Sequence, residues 1–347
     1  MPLLLRSSLL VAALAAATSA ALAQDPVFSQ YTANPVYNNP GLAGLFEGEL
    51  RLSASYREQW RSILDADAHR TYAAAAELRT RLGGRDFLVS TVNAYRDVSG
   101  AARYTQSGAG LGLGLQKYLG GGRGRHADYL GFGARAGYGE RGLDPSGLWF
   151  SSDLDTATLA IASDGSRTQG VGNRAFLDLS AGVNYALVRR AYSLTVGLAG
   201  HHVNWPNASV LLSGSRRLKP RIAGLIAGEV LLAGGLRVLP SALVEVQGQS
   251  RRATAGAGVL YTGDERGDRG FRFGTYARVG NSGVEAAALE AIVLAAQLEL
   301  ERVTVGLSYD VNTAAIGRAV DARGAYELSI SYTRAKRSRY RLVCPKL

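Results

Sequence analysis

"GAYELSISYT", residues 324–333, alternates without a break. Tyr326, Leu328, Ile330 and Tyr332 fall on one side of an extended chain, and Glu327, Ser329, Ser331 and Thr333 on the other. A repeat of two belongs to a β-strand, whose successive side chains leave opposite faces of the sheet. In a membrane barrel the apolar set faces lipid, with tyrosines near both interfaces, and the polar set faces a wet lumen. In a soluble sandwich the same apolar set faces a core, so alternation alone does not separate the two.

The start of the chain decides between them. Residues 1–23 hold one basic residue (Arg6), an apolar core over 9–17 and the small-residue exit Ala21-Leu22-Ala23. That is the pattern of a signal peptide cleaved before Gln24, and no cysteine follows it as a lipoprotein signal would require. The one cysteine, Cys344, rules out an internal disulfide framework. Glycine (43) and tyrosine (17) are abundant, mean hydropathy is −0.01, and no apolar run after the leader is long enough for a spanning helix. An exported, glycine- and tyrosine-rich, alternating chain predicts an all-β fold, a transmembrane antiparallel outer-membrane β-barrel. The net charge of +11 then points to anionic headgroups, cell-wall polymers or an acidic partner, and not to nucleic acid.

Alternating segments recur over 49–60, 71–80, 86–95, 104–118, 127–138, 174–188, 192–203, 221–232, 236–247, 252–262, 271–279, 284–298, 302–311 and 324–333. That makes about 14 strands, an even number as bacterial barrels require. The segment at 284–301 is rich in Ala, Leu and Glu and suits a helix by propensity. Its end alternates (Leu294, Ala296, Leu298 against Gln297, Glu299, Glu301), which favours a strand. The long connections, 61–70, 140–173, 204–220 and 312–323, all fall on odd-to-even junctions, where extracellular loops belong. Gly108, Gly110, Gly112 and Gly114 put glycine on one strand face. Their spacing never leaves period two, so a nucleotide loop is the poorer reading.

Signs of catalysis are few. His69, His126, His201 and His202 offer no metal-binding spacing, and adjacent strand residues such as His201 and His202 are expected on opposite faces. The acidic stretch 151–155 lacks the dense oxygen ligands of a calcium loop. No cofactor or metal and no enzymatic activity are expected. A hydrolase triad assembled around a barrel rim is the rival that sequence leaves open. Cys344 reads equally as inert or as a cross-link to another chain, with Arg341 and Lys346 favouring its thiolate.

The run after the leader, "QDPVFSQYTANPVYNNPGLAGL" (24–45), holds Pro26, Pro35 and Pro40, aromatics at Phe28, Tyr31 and Tyr37, and Asp25 as its one charge. The prolines exclude a long helix, Asn34-Pro35 and Asn39-Pro40 set turns, and the aromatics need something to bury them. An ordered segment packed in the barrel's periplasmic mouth, or against a partner there, is expected. Residues 25–44 resemble the mature N-terminus of the PorP/SprF family of type IX secretion system membrane proteins. Tyr56-Arg57-Glu58-Gln59-Trp60, the stretches 306–312 and 323–329, and the terminal Cys344-Pro345-Lys346-Leu347 resemble further family motifs.

The resemblance implies an outer-membrane barrel that supports type IX secretion and gliding motility, as an accessory or cargo-anchoring component without enzymatic activity. Implied partners are a secreted or surface-anchored cargo protein, periplasmic or lipoprotein components of the machinery, and membrane lipid. A pore for small solutes is the alternative. The expected organisation is a signal peptide (1–23), a family-motif segment acting as periplasmic plug or contact (24–47), the barrel (48–334) and a basic periplasmic tail (335–347). Candidate partner contacts are Phe28, Tyr31, Asn34, Pro35, Tyr37, Asn39 and Pro40 in the first segment. Arg337, Arg339, Arg341 and Cys344 are the candidates in the tail.

Overall fold

The computed structural model describes residues 25–121, 126–144, 154–155, 160–161, 170–263, 269–281, 287–313 and 324–334. The basic tail, with Arg337, Arg339, Arg341 and Cys344, lies outside the described residues, as do the leader and most of the acidic stretch 151–155. Fourteen antiparallel strands close into one barrel. They are β1 (Leu50–Gln59), β2 (His69–Gly83), β3 (Asp86–Ser99), β4 (Tyr104–Gly120), β5 (Ala127–Gly142), β6 (Arg174–Val188) and β7 (Tyr192–His201). The second half is β8 (Arg221–Leu231), β9 (Leu236–Gln247), β10 (Ser250–Thr262), β11 (Gly270–Gly280), β12 (Ala288–Glu299), β13 (Val303–Asn312) and β14 (Ala325–Arg334). Each strand pairs with its chain neighbours, and β1 zips onto β14 from Leu50↔Arg334 to Gln59↔Ala325, so the barrel closes without an edge strand among the described residues.

The ambiguous segment near 290 is a strand, because a barrel of spanning strands has to satisfy every backbone group across the wall. Tertiary pairing overrides helix propensity there. The long connections gather at one end of the barrel, and turns such as 84–85 and 189–191 lie at the other. These are called the long-connection end and the short-turn end below.

Alternation sorts the two faces. Leu111 and Leu113 in mid-β4 are 67% and 62% exposed, while Gly112 and Gly114 face inward between them. Exposed Tyr72, Tyr138, Tyr309 and Tyr326 form a girdle towards the long-connection end, and Tyr185, Tyr192, Tyr261 and Phe271 form one towards the short turns. Two aromatic belts around an apolar band are what lipid contact selects. A charge in that band should be costly: Leu111→Arg is expected to destabilise the barrel by about 2–4 kcal/mol, measured by urea titration in lipid vesicles.

The expectation of a wet lumen for the polar face of β14 is corrected. Glu327 is 0% exposed and Ser329 5%, because residues 25–48 run through the lumen and cover them. Its turn at Pro40–Leu42 packs against the wall of β4, β5, β6 and β7.

Candidate functional site

Residues 25–48 fold as a compact thread of turns. Pro35 opens a one-turn helix, Pro35–Asn38, in a position where its missing N–H costs nothing. Asn39 stands before Pro40 in the extended conformation that proline imposes on its predecessor, which ends the turn. Its side chain then accepts a hydrogen bond from Gly41 N (2.7 Å) and starts the 3₁₀ turn Pro40–Leu42. The thread is held in three places.

At the long-connection end, Asp25 is buried among cations. Its carboxylate meets His202 Nε2 (2.7 Å), Arg141 (3.3 Å) and Arg221 (3.3 Å), and its N–H donates to Gln247 (3.1 Å). His202 binds Asp178 through Nδ1 (2.7 Å), and Arg135 completes the row on Asp178 (2.8 Å). The Tyr37 hydroxyl donates to Pro26 O (2.9 Å), its ring lies edge-on to Phe28 and Tyr95, and Arg221 stacks above it.

The expectation that His201 and His202 point to opposite faces is corrected. His202 adopts a left-handed backbone (φ 55°) just beyond β7, and both rings turn into the lumen. His201 contacts Asn38 O (2.9 Å) through Nε2.

Towards the same end, on the β13–β14 side, the grip is a charged knot. Glu327 accepts the N–H groups of Ser29 (2.7 Å) and Gln30 (3.1 Å). Ser29 Oγ donates to Asp310 (2.7 Å), and Asp310 also receives Arg57 (2.8 Å) and Arg278 (2.7 Å). Tyr31 shares a hydrogen bond with Ser241 (2.7 Å), and the Asn34 amide donates to Ser55 (2.5 Å).

Nearer the short turns, Gln116 donates to the carbonyls of Gly41 (2.8 Å) and Ala43 (2.7 Å), and the Asn39 amide donates to Val183 O (3.0 Å). Gly44 N donates to Glu77 (2.9 Å), which is paired with Arg51 (2.6 Å). Arg79 donates to Phe46 O (2.7 Å), and the Phe46 ring lies under Arg51. The thread approaches glycines of the wall so closely that a Cβ on Gly133 or Gly182 would overlap Pro40 or Asn39. Gly114, Gly133, Gly182 and Gly197, one on each of four neighbouring strands, are therefore the bed in which residues 39–43 lie.

Phe28, Tyr31, Asn34, Pro35, Asn39 and Pro40 are all buried, and Tyr37 nearly so; in this conformation their neighbours belong to the barrel and to one another. The segment is not confined to the short-turn mouth, where sequence reasoning placed it. It spans the lumen from Asp25 at the opposite end to Gly48, beside Arg334 at the short turns.

Sequence reasoning singled out none of Asp25, Glu327, Asp310, Arg278, His202 or Glu77 as contacts. A signal existed, since each strand carboxylate or guanidinium among them stands at an inward position of its alternation, where an unpaired charge would be costly.

Asp25 and His202, both outside the strands, titrate as a pair. Burial by itself would lower the His202 imidazolium, but the carboxylates of Asp25 and Asp178 outweigh it and hold its pKa up at about 9. Burial would raise the Asp25 carboxyl, but His202, Arg221 and Arg141 hold it well below 3.8. The stabilisation from His202 is complete below its ordinary value of 6.5 and fades as pH rises through about 9. That from Asp25 is complete above 3.8 and fades only in stronger acid. Protection of residues 25–37 against added protease should fall as pH passes about 9. His202→Gln should remove the alkaline fall.

Three comparisons with known proteins place the chain. The family model for the type IX secretion system membrane protein PorP/SprF matches residues 20–332. No curated protein matches. Among solved structures, the TodX monoaromatic hydrocarbon channel deltaS2 mutant is 11% identical at a TM-score of 0.49, with 88% of this chain and 95% of that chain covered. The CymD monoaromatic hydrocarbon channel is 12% identical at 0.49, over 89% and 94% of the two chains. BamA from Haemophilus ducreyi lacking POTRA domains 1-3 is 9% identical at 0.39, over 82% and 70%.

Proposed function

This chain belongs to the PorP/SprF family of type IX secretion system membrane proteins, and from that premise we propose that it is a non-enzymatic outer-membrane anchor or accessory subunit for exported cargo. It holds or guides a secreted or surface-anchored protein, contacts periplasmic or lipoprotein parts of the machinery, and contributes to gliding motility. One observation supports this reading above the others. Four stretches that resemble the family, 25–44, 56–60, 306–312 and 323–329, meet at the charged knot through Ser29, Arg57, Asp310 and Glu327. Those resemblances converge on a barrel whose lumen is occupied by its own N-terminal segment. Such a barrel suits a scaffold, whereas a solute channel needs a continuous path.

The experiment is deletion of the gene followed by profiling of surface and medium proteins and of colony spreading on agar. Loss of one or a few surface proteins is the expected result, and an unchanged secretome with unchanged spreading would sink the proposal. The rival, a pore for small solutes, is separated by swelling of liposomes carrying the purified barrel. Free entry of sugars would favour the pore.

A further inference from the structure

The connection from β7 to β8, residues 202–220, is tied down onto the wall before it rises. Just past the inward-facing His202, Val203 N donates to Leu179 O (3.0 Å). The Asn204 side chain accepts from Leu179 N (3.1 Å) and donates to Leu177 O (2.7 Å). Leu177 pairs with Tyr138 of the aromatic girdle, so Val203 and Asn204 stand at girdle level and Trp205 follows directly. Val203 and Trp205 are 46% and 45% exposed.

Above that level the connection is a small packed hairpin. Leu218 N donates to Pro206 O (2.8 Å) and Ala208 N to Arg216 O (3.0 Å). Arg174 of β6 holds its upper part through the carbonyls of Ser209 (2.7 Å) and Leu212 (2.6 Å). A period of two sorts the side chains: Pro206, Ala208 and Leu218 are buried, whereas Trp205, Arg217 and Lys219 are exposed. Lys219 Nζ lies 5.6 Å from the centre of the Trp205 ring. We propose that this exposed face is a binding site for the phosphorylated headgroup of a lipid in the leaflet at the long-connection end.

Charge and depth both select that ligand. Residues 203–220 carry Arg216, Arg217 and Lys219, all exposed, and no Asp or Glu. None of the three has an ion-pair partner among the described residues. The neighbours Arg174 and Glu140 add one charge of each sign, and Glu140 is taken up by Asn173 (3.1 Å) and the Tyr138 hydroxyl. The surplus is therefore local and positive. Across the barrel, the connection at 61–68 has Arg61 against Asp65 and Asp67, so the rim as a whole is not basic. An indole at girdle level with cations next above it matches the order of a leaflet, acyl boundary first and phosphate next. An acidic protein would meet the cations but would leave the indole unexplained. Each Lys or Arg beside an anionic surface strengthens attachment about fivefold.

The test is native mass spectrometry of the purified full chain in detergent, titrated with lipid A, with its dephosphorylated form and with phosphatidylcholine. Lipid A should be retained at a concentration about tenfold lower than either of the others. Arg217→Glu/Lys219→Glu should weaken its retention about tenfold or more. Arg85→Glu/Arg190→Glu makes the same charge change on exposed arginines at the short turns and should leave retention unaltered. Depth is read separately, from tryptophan quenching in vesicles of phosphatidylcholine brominated near the headgroup, where Trp205→Phe should lower the quenched fraction. Equal retention of the dephosphorylated form overturns the assignment and leaves the face to a protein. Wild-type retention in the folded Arg217→Glu/Lys219→Glu chain, an equal loss in the short-turn variant, or unchanged quenching in Trp205→Phe overturns it as well.

Discussion

Asp310→Ala should lower the stability of the barrel by about 3–5 kcal/mol and expose the N-terminal segment to protease. Asp310 is the shared acceptor of Arg57, Arg278 and Ser29, and all of these groups are buried. Removing the carboxylate leaves two guanidinium groups facing each other in the lumen with Glu327 as the remaining acid, 3.6 Å from Arg57. Breaking a buried ion pair from one side is far more damaging than replacing both partners, because the stranded charge keeps its desolvation cost. Arg57→Met in the Asp310→Ala background should therefore recover part of the loss, giving a double variant clearly better than additive. Urea midpoints of heat-modifiable migration on gels would measure it. An Asp310→Ala barrel as stable as wild type would mean that the knot contributes nothing to holding the thread.

Gly133→Val should displace the thread while leaving the strands paired. A Cβ at residue 133 overlaps the Pro40 carbonyl and comes within 2.7 Å of Gly41 N, and neither backbone group can turn aside as a side-chain tip could. Overpacking of this kind costs about 1–3 kcal/mol, which shifts the docked-to-released balance roughly fivefold to a little over a hundredfold. Gly133 lies in mid-β5 and keeps ordinary strand pairing with Gly114 and Gly182, so the wall itself tolerates valine. The readouts are cleavage within residues 35–45 and ion conductance of the reconstituted barrel, both expected to rise. Gly224→Val is the control, since a Cβ there meets nothing within 4 Å. Wild-type conductance and protease resistance in folded Gly133→Val would refute the close packing of thread on wall.

These two residues illustrate what could be read ahead of the structure. The inward position of Gly133 follows from alternation, since it shares a strand face with Tyr129 and Arg135. That Pro40 would lie against it does not follow, because the residues are far apart in sequence and joined by no local pattern. Asp310 likewise sits in a strand that alternation locates, and its partners come from β1, β11 and the N-terminal thread. A sheet fixes which face a residue occupies; it says nothing about which residue stands opposite across a lumen. The misplacement of His202 has a local cause: one left-handed residue at a strand end breaks the period of two on which the reading relied.

Sequence by itself determined the strands, because period-two patterning, strand length and turn spacing are local properties that lipid and hydrogen-bond satisfaction impose on every strand separately, and the export signal read at 1–23 turned that pattern into a membrane barrel rather than a soluble sandwich. It also determined that residues 25–45 had to be buried against something, since three aromatics and three prolines in a nearly uncharged run favour neither a helix nor a solvated linker. Only the tertiary structure decided what buries them. The thread is gripped by charges from β1, β2, β5, β8, β11, β13 and β14, brought to one axis by closure of the wall. Closure is a global event: until Leu50 meets Arg334, there is no lumen for Asp25 to Gly48 to occupy.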